Sequence, residues 1–227
     1  MNIRKRKTGR EFTDAELKAI KIAEKLSRKM GTVAHDYKHA DNVRKGAVLL
    51  AIKEGFTKRD VFLTELAGLL HDIGLDYVED RSKHAEMSSK MFLKVFSNNN
   101  ILSNHEKNKI SFLILHHDKF ASAITLTSDE NLLRMLRVLI DADTLELLGK
   151  NGYTRAVETA KSREWPLHGP NKHFGETTTF TTIEPTLVGQ LNFQASCFEM
   201  LFTESAKEKG KAGVKYIREK ILEIPRH

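Results

Sequence analysis

His71 and Asp72 stand side by side at the end of an apolar run, Leu66, Ala67, Leu69 and Leu70. The run reads as a helix heading into a core, and Gly74 is a residue type at which a helix can stop. A neutral imidazole nitrogen beside a carboxylate oxygen suits a divalent transition metal. The dipeptide alone is weak evidence, because a histidine near an apolar face more often satisfies a hydrogen bond within a core. Three further polar residues fall on apolar stripes. His39 precedes Val43, Ala47, Leu50 and Ala51 by one turn, His117 continues Ile110, Leu113 and Ile114, and Asp143 shares a face with Leu136, Leu139, Ile140 and Leu147. Asp141 lies about 160° from Asp143 around a helix, which makes Asp143 the expected inward carboxylate. Unrelated core hydrogen bonds are one explanation of these inward groups, and a shared dication, which satisfies all of them at once, is the simpler one.

The elements that must position them are helical. Thr13 with Glu16 opens a helix through Leu17, Ile20, Ala23, Leu26 and Met30 to Gly31, and residues 34–54 form a second that ends at Gly55. Thr57 with Asp60 caps the helix leading to His71, and residues 82–97 are expected to bury His84, Met87, Met91 and Val95. Asn98, Asn99 and Asn100 mark a loop, Ser103 with Glu106 opens the helix to His116 and His117, and residues 129–148 form the next. A shorter helix is expected from Arg155, then a loop-rich insertion over 163–185 with five threonines in 177–182, then helices over 187–209 and 212–224. The expectation is an all-α protein: a basic arm over 1–12 and one helical domain over 13–227.

The 227 residues carry a formal charge of +7, of which Arg4, Lys5, Arg6, Lys7 and Arg10 contribute five, leaving +2 for the rest. That pattern argues for a solvated terminal arm and against a nucleic-acid-binding domain. The one cysteine, Cys197, excludes an intramolecular disulfide and a cysteine-ligated zinc site. No stretch reaches ~18 consecutive apolar residues and no hydrophobic leader is visible, so a cytoplasmic protein without membrane spans is expected. Self-association is left open.

The set His39 in HDYKHADNV, His71 and Asp72 in LLHDIG, and Asp143 in DADTLELLG resembles the HD-domain superfamily of metal-dependent phosphohydrolases. The resemblance runs from about residue 35 to 155, with a weaker echo at His173–Phe174 and in FTESAKEKG. It implies a helical bundle holding one or two divalent ions (Mn, Fe, Co, Ni or Zn, with Mg also allowed) on His39, His71, Asp72 and Asp143, and a bound water that attacks a small phosphorylated metabolite, most naturally a nucleotide. His84, His116 and His117 fall where two-metal members carry extra histidines. Asp72 is the expected base that orients the water, His116 and His84 the expected substrate-side catalysts, and Lys119 and Arg155 the expected phosphate-binding cations. The signature of the cyclic-dinucleotide phosphodiesterases is absent after His117, where the chain reads DKFAS. Two other functions stay open: a di-iron oxygenase on the same scaffold, and a metal-containing binding protein whose basic arm docks an anionic partner.

Overall fold

The structure is a computed structural model and describes residues 4–5, 11–32, 35–98, 100–119, 126–168 and 186–225. Most of the basic arm, the echo at His173–Phe174 and the threonine-rich part of the insertion lie outside the described residues. Among the described residues the chain is all-α, with nine α-helices and two short antiparallel ladders. It divides into two compact units, Met1–Ala142 and Asp143–His227. The division falls inside a continuous helix, where no glycine, proline or change of composition marks it.

In the first unit β1 (Arg4–Lys5) pairs with β2 (Glu11–Phe12), so part of the expected arm is paired backbone. Helix α1 (Asp14–Ser27) opens on the capping box of Thr13 and Glu16. A second ladder joins β3 (Gly31–Thr32) to β4 (His35–Asp36). Helix α2 (Tyr37–Lys53) then starts three residues later than the sequence suggests, because the Asp36 carboxylate takes the cap and accepts from the His39 backbone N–H. His35 is thereby left outside the helix, in extended backbone.

Helix α3 (Lys58–Leu70) is buried at every position from Val61 to Leu70, against α1, α2 and α5 (Asn104–His116). It has no solvent face along that stretch, so whatever follows Leu70 starts in the interior. Its contact with α2 is close: a Cβ at Gly68 would lie 3.0 Å from the Arg44 Cα. Arg44 clamps the same pair of helices, donating to Glu65 Oε1 at 2.8 Å and from Nε to Asp41 Oδ1 at 2.9 Å.

Helix α4 (His84–Phe96) corrects the expected stripe. Its buried face is Ala85, Ser88, Ser89, Phe92 and Phe96, while Met87 and Met91 are half-buried and Val95 is 40% exposed. Two serines on the inner face hide the periodicity from a hydropathy reading. Both are satisfied inside: Ser88 Oγ accepts from Gly74 N at 2.9 Å, and the Ser89 hydroxyl bonds that of Ser111 on α5 at 2.7 Å.

Helix α6 (Glu130–Leu147) brings Ala142 against α2, where a Cβ at Gly46 would stand 3.4 Å from the Ala142 Cβ. In the second unit α7 (Gly149–Ser162) opens at Gly149, in the left-handed region at φ 70°, well before the expected Arg155. The closing helices are α8 (Leu187–Ser196) and α9 (Glu204–Glu223), parted at 197–203 and not at the expected 210–211. Thr203 caps α9, and Gly210 lies inside it because a Cβ there would come within 3.1 Å of the Leu201 and Phe198 side chains. That glycine serves close packing and does not break the helix.

Candidate metal centre

The last carbonyls of a helix have no partner within it. Three histidines use that fact in the same way. His71 caps α3 and its Nδ1 lies 2.9 Å from Gly68 O, His117 caps α5 with Nδ1 2.7 Å from Ile114 O, and His84 follows the 3-10 turn Arg81–Lys83 with Nδ1 2.7 Å from Arg81 O. Each bond runs to the residue three places earlier. A carbonyl only accepts, so each Nδ1 carries a proton and each ring, when neutral, presents a lone pair at Nε2.

All three Nε2 atoms point at Asp72. The distance is 3.2 Å from His71 to Oδ2, 3.2 Å from His84 to Oδ1 and 3.4 Å from His117 to Oδ1, and the His84 and His117 Nε2 atoms stand 3.2 Å apart. His39 Nε2 is 3.7 Å from Oδ2, and His35 Nδ1 is 2.7 Å from the same oxygen. Neighbouring rings make edge contacts in the order His35, His39, His71, His117 and His84, with centroids 4.9–5.3 Å apart. Asp72 is thus a buried carboxylate inside an arc of five imidazoles.

Neutral rings whose Nδ1 protons are already committed have nothing to donate to a carboxylate. Their lone pairs face its lone pairs, an arrangement that repels unless a cation lies between them. The donor set fits a divalent ion of the imidazole- and carboxylate-binding kind. Two trios, His35 with His39 and Asp72, and His71 with Asp72 and His117, each bring one ligand atom per residue within 4.8 Å of one another. Burial pushes the pKa of Asp72 up, but the charges of His71 and His35 when those rings are protonated, and hydrogen bonds from a protonated His117 and from His35, outweigh it and hold the group well below the ordinary carboxylate range. Asp72 is therefore ionised and ready to bind a cation.

Of the residues singled out in the sequence, His39, His71, Asp72, His84 and His117 come together here. His116 does not join them: its ring packs on Phe112 at 4.5 Å, and burial, then the nearby Lys119, lower its pKa. Lys119 is exposed, 3.5 Å from the Asp118 carboxylate. Asp143 is the first residue of the second unit and is half-buried there. Its charge adds to burial in pushing the thiol of the buried Cys197 up to about 12. Asp141, on the face expected to point away, is fully buried. Arg155, also in the second unit, donates to Glu146 O at 3.5 Å. Sequence reasoning missed His35 as a site residue. Its signal was its place four residues before His39 with a capping aspartate between them, which a single-helix reading of 34–54 obscures.

Among the described residues no helix is long and apolar enough to cross a membrane. The family model for the HD domain matches residues 15–148, more than half of the chain, and no curated protein matches. Among solved structures, a protein from Lactobacillus plantarum is 20% identical, with 93% of this chain and 96% of that chain covered at a TM-score of 0.70. An HD-superfamily hydrolase from Bacillus thuringiensis is 20% identical over 92% and 93% of the two chains at 0.61. Bacillus subtilis YpgQ, solved in complex with ADP, is 18% identical over 92% and 98% at 0.63. At these identities the likeness is one of fold. The matched span contains His39 and the His71–Asp72 pair with the histidines around them, and the chain belongs to the HD-domain family.

Proposed function

We propose that the chain is a metal-dependent phosphohydrolase acting on a small phosphorylated metabolite, most specifically a nucleotide. The observation that carries this reading is the shared construction of His71, His84 and His117, each locked by a helix-end carbonyl with Nε2 turned on the Asp72 carboxylate. Family membership supports a metal-dependent hydrolase in general, and YpgQ in its complex with ADP gives a reason to try nucleotides first.

The proposed ligands are His39, His71 and Asp72, with Asp143 from the DADTLELLG motif as a fourth. A divalent ion held there supplies Lewis acidity, lowering the pKa of a bound water and polarising a phosphoryl oxygen. The chain's own residues do the remaining work. Asp72 has two oxygens facing different sets of rings, so Oδ2 is the proposed ligand atom and Oδ1 the atom that accepts a hydrogen bond from the attacking water. His84, partly exposed at the rim of the arc, is proposed to touch substrate, and His116 to stand further out on the same side. Lys119 and Arg155 are proposed to offset phosphate charge.

The test is phosphate or pyrophosphate release from a panel of nucleoside mono-, di- and triphosphates with added Mn, Co or Ni. Turnover that depends on metal supports the reading, and silence across nucleotides and other phosphomono- and diesters contradicts it. One observation favours a second reading. His84 and His117, 3.2 Å apart beside Oδ1, could seat a second ion, and a pair of iron ions would suit oxygen chemistry. Oxygen consumption by iron-loaded protein separates the two.

A further inference from the structure

We propose that His35 is a positioning residue: its Nδ1–H fixes the rotamer of the Asp72 carboxylate so that Oδ1 and the remaining lone pairs of Oδ2 are presented to the metal and its water. The inference rests on the metal-site reading above and deepens it.

The argument turns on which edge of each ring faces Asp72. His71, His84 and His117 approach with Nε2 while their Nδ1 protons are spent on backbone carbonyls, so in the neutral state they are acceptors toward Asp72. His35 approaches the other way round, with Nδ1 2.7 Å from Oδ2. That length is typical of a hydrogen bond to a charged acceptor, and the carboxylate has no proton to give, so His35 donates. The arc thus contains two kinds of imidazole: rings that offer lone pairs, and one that offers a proton to hold the carboxylate in place.

The backbone around His35 is built to keep that donor still. His35 and Thr32 are register partners in the β3–β4 ladder, and the next residue, Asp36, caps α2. On the other side of the ladder the Gly31 N–H donates to Asp76 Oδ2 at 2.7 Å, tying the hairpin to the turn that follows the His71–Asp72 pair. The donor and the carboxylate it orients are therefore fastened to each other by a second link. Partners that orient metal-binding carboxylates govern metal affinity and activity together.

The test separates the two nitrogens of the ring. An asparagine places an N–H near the position of Nδ1, and a glutamine places one near Nε2. Metal per chain is measured by elemental analysis after loading with manganese and dialysis against graded citrate, together with kcat and KM for the nucleotide of that panel which the parent hydrolyses, for the parent, His35→Asn, His35→Gln and His35→Ala. The expected result is that alanine and glutamine lower metal retention and kcat by about tenfold or more with KM little changed, and that asparagine restores most of the loss. Circular dichroism of each variant shows whether the helical fold is kept, and His35→Asn carries the decision if alanine unfolds. Rescue by glutamine and not by asparagine would overturn the proposal, because the working atom would then be Nε2. Metal retention and kcat equal to the parent in all three variants overturn it too. If the parent itself holds no metal, it is the metal-site reading that fails.

Discussion

Asp72→Asn is expected to cut hydrolysis by ~10³-fold or more while making the metal-free protein more stable, since the charge that binds the ion and orients the water is also the charge that the empty fold must tolerate. The substitution keeps the shape. With its amide nitrogen in the place of Oδ1, the new side chain donates one hydrogen to His84 Nε2 and one to His117 Nε2, now 3.2 and 3.4 Å from that oxygen. Its carbonyl takes the place of Oδ2 and still accepts from His35 Nδ1. At Oδ1 the facing lone pairs become hydrogen bonds, and a buried charge is removed. The gain is about 1–3 kcal/mol. For a chain of this size that raises the melting temperature by roughly 3–10 °C. Thermal unfolding in the presence of a chelator reads the stability and phosphate release with metal reads the activity. A variant that melts below the chelated parent, or that keeps its turnover, contradicts this account of Asp72.

Gly74→Ala is expected to be the most damaging methyl group that can be added near the site. The glycine is at φ −85°, so its backbone conformation is open to any residue and strain of that kind is not the reason. Space is the reason: a Cβ there would lie 2.4 Å from Ser88 N, 2.7 Å from His84 O and 2.8 Å from the Met87 carbonyl carbon, all backbone. Backbone cannot swing aside as a side-chain tip can. The turn after Asp72 must move away from the start of α4, taking Asp72 away from His84 and breaking the Gly74 N–H to Ser88 Oγ bond. Overpacking of this severity costs about 3 kcal/mol. We expect a melting temperature lower by roughly 6–12 °C and loss of most activity even where the protein stays folded. Ser88→Ala, which removes only the acceptor, should cost about 1 kcal/mol. A Gly74→Ala protein with the parent's melting temperature would show that α4 does not lie against the turn in this way.

Local signals in the sequence led to the right elements. The caps at Thr13, Thr57 and Ser103 hold as hydrogen bonds, since a capping residue needs only the next three residues to act. The apolar approach to His71 and Asp72, Leu66, Ala67, Leu69 and Leu70, marks a buried helix end for the same reason. What escaped depends on partners far away in the chain. Ser88 and Ser89 look like solvent-facing residues until Gly74 and Ser111 are opposite them, and Gly210 looks like a break until Phe198 and Leu201 lie against it. Gly74 itself reads as a helix stop, but it is a point of close approach. Both carboxylates of α6 are withdrawn from solvent, Asp141 fully and Asp143 in part, which a wheel with one inner and one outer face does not foresee. His35 escaped because its role depends on which ring edge meets Asp72, which spacing does not encode.

The central claim is that the arc around Asp72 holds a divalent metal, and elemental analysis tests it most directly. Purified protein, stripped and then reloaded with manganese, cobalt, nickel, iron or zinc in turn, is compared with His71→Ala treated in the same way. The account predicts about one ion per chain in the parent, or about two if His84 and His117 take part, and a loss of most of that metal in the variant. A parent that stays free of metal after every reconstitution, or a variant that keeps the parent's full content, would mean that five imidazoles surround Asp72 for another reason.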